Sequence, residues 1–242
     1  MKMIPSALVL ALDILFPADC EVCGRAVSII DNGVCGGCMS EIHPPSNPCP
    51  RCSGVMDDGQ CTVCADRAFY LDANYSLADY SGVMEKLLHA LKFGKNRRLA
   101  RPLAETLGVS FGEVVRRCDC IVPVPMNRNK KWRRGFNQSE LIAAKLSGKF
   151  NVPLAKLLRE NRRSGTQRMK RLRDRFINVL GRYRLTGGKA VRGKTVLLID
   201  DVFTTGATIN ECARILKAGG AGAVYALTLA RAKIKKLEND GS

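Results

Sequence analysis

The sequence predicts an α/β chain, a mostly parallel sheet flanked by helices, with a small cysteine-rich module in front of it. Three observations carry that prediction. From about residue 68, buried-strand patterns alternate with helical ones, the arrangement that builds parallel sheets. Eight of the 11 cysteines crowd into residues 20–64. The charge also breaks near that boundary: residues 1–79 hold 4 Lys/Arg and 10 Asp/Glu (−6), and residues 80–242 hold 35 and 12 (+23). A chain of 242 residues suffices for one full α/β domain and an accessory module, divided here as 1–67 and 68–242.

Residues 3–12, MIPSALVLAL, have the composition of a signal-peptide core. The run is short, Asp13 interrupts it, and Phe16-Pro17-Ala18-Asp19 is a poor cleavage site. It is also too short to span a bilayer. The expected structure is a short helix packing its apolar face on protein, in a cytoplasmic chain with no membrane span.

The next segment contains four CxxC pairs: Cys20/Cys23, Cys35/Cys38, Cys49/Cys52 and Cys61/Cys64. Two cysteines separated by two residues reach one metal from a tight turn, and four thiolates complete a tetrahedral zinc shell. Disulfides do not suit a chain without an export signal, and a redox CxxC comes singly rather than in tandem. Two structural Zn²⁺ sites are therefore expected. Sequential pairing, the first four cysteines and then the last four, is favoured over a crossed arrangement. His43 is expected in an exposed loop, and Cys118, Cys120 and Cys212 are expected to act as small apolar residues.

Beyond residue 68, Tyr80 to Leu91 places Val83, Leu87, Leu88 and Leu91 at helical spacing, and Leu99 to Phe111 predicts a second helix. Cys120 to Pro125 predicts a buried strand ended by prolines. Ser139 to Phe150 predicts a helix with Ser139 as its cap. Thr195 to Ile199 predicts a buried strand, followed by a Thr/Gly-rich loop, a helix from about Thr208 to Ala218, and a strand from Ala223 to Leu229.

The most informative stretch runs from Val196 to Thr208. Its strand delivers Asp200 and Asp201 to the carboxyl edge of the sheet, where ligands bind in open α/β folds. Both carboxylates are expected to be exposed there. Thr204, Thr205, Gly206, Ala207 and Thr208 then form a loop entering a helix, whose backbone N–H groups hold a phosphate. Gly206 lets the backbone approach closely. Together these residues suit a sugar phosphate, with its phosphate on the loop and its vicinal ribose hydroxyls, with Mg²⁺, on the two acids.

This stretch resembles the 5-phosphoribosyl-1-pyrophosphate (PRPP) motif of type I phosphoribosyltransferases. Val122-Pro-Val-Pro125, Arg134-Gly-Phe-Asn-Gln138, Gln167 with Arg175 and Asn178-Val179, and Tyr80-Ser-Gly with Leu91-Lys-Phe-Gly94 narrow the resemblance to the ComF family of competence-related proteins. The cysteine module is similar to the double zinc ribbon that precedes that domain. The resemblance implies a type I phosphoribosyltransferase-like fold, PRPP and Mg²⁺ as ligands, and a link to DNA uptake in natural transformation, with competence or DNA-uptake proteins as partners. It also implies that Arg128 and Lys130, in the loop after strand 121–125, face pyrophosphate.

The remaining cations exceed what one small metabolite requires. Lys131, Arg133 and Arg134 flank Trp132, and a second belt includes Arg162, Arg163, Arg168 and Arg171. Cations interleaved with an aromatic ring suit a nucleic-acid backbone with stacked bases, single-stranded DNA above all. A solvated basic face is the simpler competing reading. Two functions follow: phosphoribosyl transfer with Asp200 and Asp201 as the catalytic acids, or a non-catalytic adaptor that binds single-stranded DNA on a phosphoribosyltransferase fold.

Overall fold

The apolar runs predicted as buried strands pair into one parallel sheet in the computed structural model, which describes residues 6–57, 59–61, 64, 69–161 and 179–232. The chain opens with helix α1 (Ser6–Leu15). Asp13 Oδ1 accepts the Ile29 N–H at 2.7 Å, which turns the polar side of α1 toward the chain. Leu10 stays 64% exposed, so the expectation that the helix of residues 3–12 buries its apolar face fails there, and Ile14 and Phe16 beyond it are exposed too.

Two small antiparallel ribbons follow. The first pairs β1 (Ala18–Asp19) with β2 (Ala26–Val27) ahead of the short helix α2 (Gly36–Ser40). The second pairs β3 (Met56–Asp57) with β4 (Gln60–Cys61).

The main sheet takes β5 (Ala73–Asp79), then helices α3 (Gly82–Lys92) and α4 (Ala100–Arg116), then β6 (Cys120–Pro123). Helices α5 (Arg128–Arg134) and α6 (Gln138–Phe150) precede a small hairpin of β7 (Leu158–Glu160) and β8 (Tyr183–Leu185). The chain returns through β9 (Thr195–Phe203), α7 (Ala207–Ala218) and β10 (Ala223–Arg231). The strand order is β5-β10-β9-β6, all parallel.

Helices cover both faces, so the central strands read as unbroken apolar runs: Val196, Leu197, Leu198 and Ile199 are all 0% exposed. Strand alternation divides the interior into two cores. Leu197, Ile199 and Leu227 face α3, α4 and α6, whose Leu87, Leu88, Leu91, Leu103 and Ile142 fill that side. Val196, Leu198 and Ala226 face α7, with Ile209, Cys212 and Leu216.

Each ribbon joins one core. Cys20 and Cys38 pack with α3 and α4, and Cys49, Cys52, Cys61 and Cys64 pack with Phe203 and α7 on the other face. Cys118, Cys120 and Cys212 are buried as expected, and His43 is exposed.

Candidate functional site

Strand β9 runs past the expected end at Ile199 to Phe203, because β10 continues to pair with it through Arg231. A strand sends successive side chains to opposite faces. Asp201 turns to Lys92 at the end of α3, with Nζ 3.0 Å from its Oδ2 and both side chains under a fifth exposed. Asp200 accepts hydrogen bonds from Ser139 Oγ at 3.1 Å and from the Asp201 N–H at 2.9 Å. The expectation that both carboxylates lie open is corrected: each is half-buried and already holds a partner.

Ser139, whose hydroxyl donates to Asp200, is not the cap of α6. Asn137 is, its side-chain oxygen accepting the Ser139 N–H at 3.0 Å while its Nδ2 donates to the Val124 carbonyl. Burial, and then the neighbouring Asp201 charge, push the Asp200 carboxyl up to about 7.

The folded chain therefore binds the Asp200 proton more tightly than the unfolded chain. That contribution to stability is whole below the ordinary carboxylate value of 3.8 and is lost as pH rises toward about 7. The thermal midpoint is expected to fall across this window. Asp200→Asn should remove most of the fall and raise the midpoint near pH 8 by about 5 °C. Melting curves of the two proteins across a pH series check this, and parallel profiles would contradict it.

Beyond Phe203 the backbone turns sharply into α7. Gly206 is the N-cap, with φ +79°. A Cβ there would lie 2.3 Å from Phe203 Cζ, so only glycine fits. Thr205 is buried, its Oγ1 accepting the Ala207 N–H at 3.3 Å. Thr204 to Thr208 line a cavity of about 160 Å³ that Asp200 also borders.

A second cavity of about 250 Å³ contains Asp200, Asp201, Thr208, Lys92, Ser139, Lys130, Arg134 and Arg182. Both acids and the helix-entry loop thus border adjoining space at the carboxyl end of the sheet.

The basic run after β6 forms the helix α5 rather than a loop, capped by Asn127 at one end and by Gly135 at φ +82° at the other. Helical rotation separates its cations. Lys130 borders the cavity of the two acids, whereas Arg128 borders a neighbouring one of about 590 Å³ with Lys131, Lys156, Arg159 and Arg184. Lys131 is paired with Glu140 at 2.8 Å. Arg134 donates to Gln138 at 2.9 Å and lies over the Phe93 ring. Trp132 is 86% exposed, and Arg133 is exposed beside it. Arg162, Arg163, Arg168 and Arg171 lie outside the described residues, as do Gln167, Arg175 and Asn178.

Lys92, Ser139, Arg182 and Arg231 escaped the sequence reading as site residues. Lys92 did carry a signal, since it stands within the Leu91-Lys-Phe-Gly94 segment. Arg231 carried none, as a cation at the end of an apolar strand looks like a surface residue. It is 3% exposed, and its Nη1 donates to the carbonyls of Phe203 (2.9 Å), Thr204 (2.6 Å) and Ala232 (2.6 Å).

The cysteine sulfurs gather in sequential sets, Cys20/Cys23/Cys35/Cys38 and Cys49/Cys52/Cys61/Cys64, each within 4.8 Å of one another. A tetrahedron of about 2.3 Å metal–sulfur bonds has edges of about 3.8 Å. The Cys23–Cys35, Cys49–Cys64 and Cys52–Cys61 separations are 3.8, 3.5 and 3.4 Å, so the donor sets fit a zinc ion in size and chemistry. The two sets differ in surroundings. Arg25 donates to Cys23 at 3.3 Å and holds that thiol down to about 6, whereas burial pushes Cys52 up to about 12.

The phosphoribosyl transferase domain family matches residues 137–242, which contain the acids, the loop and α7. The DNA utilization protein YhgH of Salmonella typhi is 30% identical over 226 residues, covering 89% of this chain and 97% of that protein. The chain belongs to the ComF family. Competence protein F of Haemophilus influenzae is 29% identical over 223 residues (88% and 96% of the two chains). Competence protein ComFC of Bacillus subtilis is 29% identical over 225 residues (87% and 90%). As a ComF-family chain, it pairs a type I phosphoribosyltransferase-like parallel sheet with two N-terminal four-cysteine clusters that could hold zinc. Among the described residues no helix is long and apolar enough to cross a membrane.

Proposed function

We propose that this ComF-family chain binds PRPP with Mg²⁺ at the carboxyl edge of its sheet and acts in DNA uptake during transformation. The observation that carries the reading is the juxtaposition of Asp200 and Asp201 with the Thr204–Thr208 turn around adjoining cavities. The 5′-phosphate sits on the N–H groups entering α7. Asp200 and Asp201 accept from the ribose 2′- and 3′-hydroxyls. Asp200 and Asp201 would also hold Mg²⁺, which when bound would supply positive charge to the ligand.

Lys92 holds Asp201 until ligand arrives, and Lys130 with Arg134 supplies charge on the pyrophosphate side. In transfer, the bond from C1 to pyrophosphate breaks with its electron pair leaving on oxygen, and an acceptor nucleophile forms the new bond at C1. Cations beside the departing pyrophosphate stabilise its developing charge. Zinc fills both cysteine clusters as a structural ion in residues 1–67, and the site belongs to residues 68–242. Persistent thiolate clusters suit a cytoplasmic protein.

A second reading is favoured by α5, where exposed Trp132 stands between cations, as in surfaces that stack single-stranded DNA. One experiment separates the two. Calorimetric titration of zinc-loaded protein with PRPP and Mg²⁺ is expected to give saturable, equimolar binding. No heat with PRPP, together with oligonucleotide binding that weakens steeply with salt, would overturn the first reading in favour of the second.

A further inference from the structure

Arg231 ends β10 in register with Phe203 on one side and Asp79 on the other. Burying a guanidinium costs several kcal/mol unless hydrogen bonds and an opposite charge compensate it. The hydrogen bonds come from the start of the ligand loop: one nitrogen serves the carbonyls of Phe203 and Thr204 and that of Ala232. The guanidinium also lies over the Phe203 ring at 5.0 Å, and Phe69 stacks on the same ring at 6.5 Å. Phe203 in turn is the ring against which Gly206 closes the turn.

Burial pushes the Arg231 guanidinium down from its ordinary value, and the groups that oppose this are Cys52 first, then Cys61 and Asp79. Its Nε is buried and has no hydrogen-bond partner among the described residues. Cys52 and Cys61 both belong to the second cluster, which packs in one core with Phe203.

That cluster is also bonded to the sheet. Asn74 on β5 receives Ser53 Oγ on its carbonyl at 2.5 Å, and its N–H donates to the Arg51 carbonyl at 2.9 Å. As neutral thiols, Cys52 and Cys61 add no negative charge at Arg231 beyond that of Asp79. As a set of four thiolates around a divalent ion, the cluster carries net negative charge and supplies it.

We infer that Arg231 is a positioning residue that ties the second four-cysteine cluster to the ligand loop, so that metal in this cluster and ligand on the loop each strengthen the binding of the other. The inference rests on the proposed PRPP site. The first cluster, on the opposite face with α3 and α4, has no such link among the described residues.

Reciprocity makes this measurable: if metal favours ligand, ligand must retain metal by the same factor. In the full-length, zinc-loaded protein, transfer of zinc to a chromogenic chelator is expected in two phases, and Cys23→Ser, which disables the first cluster, leaves the phase of the second. Saturating PRPP with Mg²⁺ is expected to slow that phase about tenfold, the factor that one lost charge-assisted hydrogen bond represents. Arg231→Met should abolish the slowing and should speed release without PRPP. Arg231→Lys keeps the charge but cannot reproduce the guanidinium's contacts, so it should retain zinc yet lose the PRPP effect.

Equal slowing of both phases, or slowing that survives Arg231→Met, would overturn the inference. If the wild type shows no calorimetric PRPP binding, the proposed function fails. The link itself is then still judged by zinc release from Arg231→Met without ligand, where release at the wild-type rate sinks it. Should Arg231→Met not fold, Arg231→Lys alone decides: unchanged PRPP slowing in that variant overturns the link.

Discussion

Replacing Asp200 and Asp201 together by Ala is expected to weaken PRPP binding in the presence of Mg²⁺ by about 100-fold or more, since each ionised carboxylate removed takes charge-assisted hydrogen bonds with it. The loss should not come from unfolding. Asp200 is held in a setting that opposes its charge, pushed up to about 7, so deleting it relieves a native-state cost. Among the described residues Asp201 has one ion pair, to Lys92 at 3.0 Å, and both side chains keep some exposure to water, so its loss costs less than that of a fully buried pair. The double variant should keep the wild-type circular dichroism spectrum and melting midpoint to within a few degrees while its calorimetric trace flattens. Near-wild-type affinity in the variant would remove these acids from the site and leave the Thr204–Thr208 turn as a capped helix entrance only.

The largest effect on stability is expected at the second cysteine cluster. Cys52→Ser with Cys61→Ser should lower bound zinc from two ions per chain to one and unfold the region around that cluster at ambient temperature. All four of its cysteines are buried and share a core with Phe203 and α7. Structural zinc contributes about 10–16 kcal/mol in small modules, which matches or exceeds the about 5–15 kcal/mol that stabilises a whole domain. The corresponding change in the first cluster, Cys20→Ser with Cys23→Ser, should loosen only the packing of that ribbon on α3 and α4. Metal analysis with thermal melts of the two variants decides the matter. Two zinc ions and an unchanged midpoint in the first variant would show that the cluster is not a structural metal site.

Much of this was legible from residue order. The four CxxC pairs and their sequential grouping are local, because two thiols three residues apart must point into one turn. The acids, the Thr/Gly turn and the following helix are contiguous too, so one segment of sequence holds the whole motif. The helical face of α3 followed from apolar spacing. The cap of α6 was misplaced by two residues, since Asn137 and Ser139 are both good caps and only the structure shows the Asn137 side chain accepting the Ser139 N–H. The apolar face of residues 3–12 was expected to be covered, but Leu10 faces outward.

By itself, then, the sequence determined the α/β class, the two four-cysteine clusters and the Thr/Gly turn, because each depends on residues close together in the chain and on rules with short range. Only the tertiary structure decided what those parts touch. It set Lys92 against Asp201 and Ser139 against Asp200, across 109 and 61 residues of chain. It sent Arg128 and Lys130 to different cavities, because the run coils into a helix. It also placed the two ribbons in cores on opposite faces of the sheet and buried Arg231 against the carbonyls of Phe203 and Thr204. The reason is physical: strand order and register bring distant segments together through the burial of two apolar cores, and that burial depends on the whole chain rather than on any window of it.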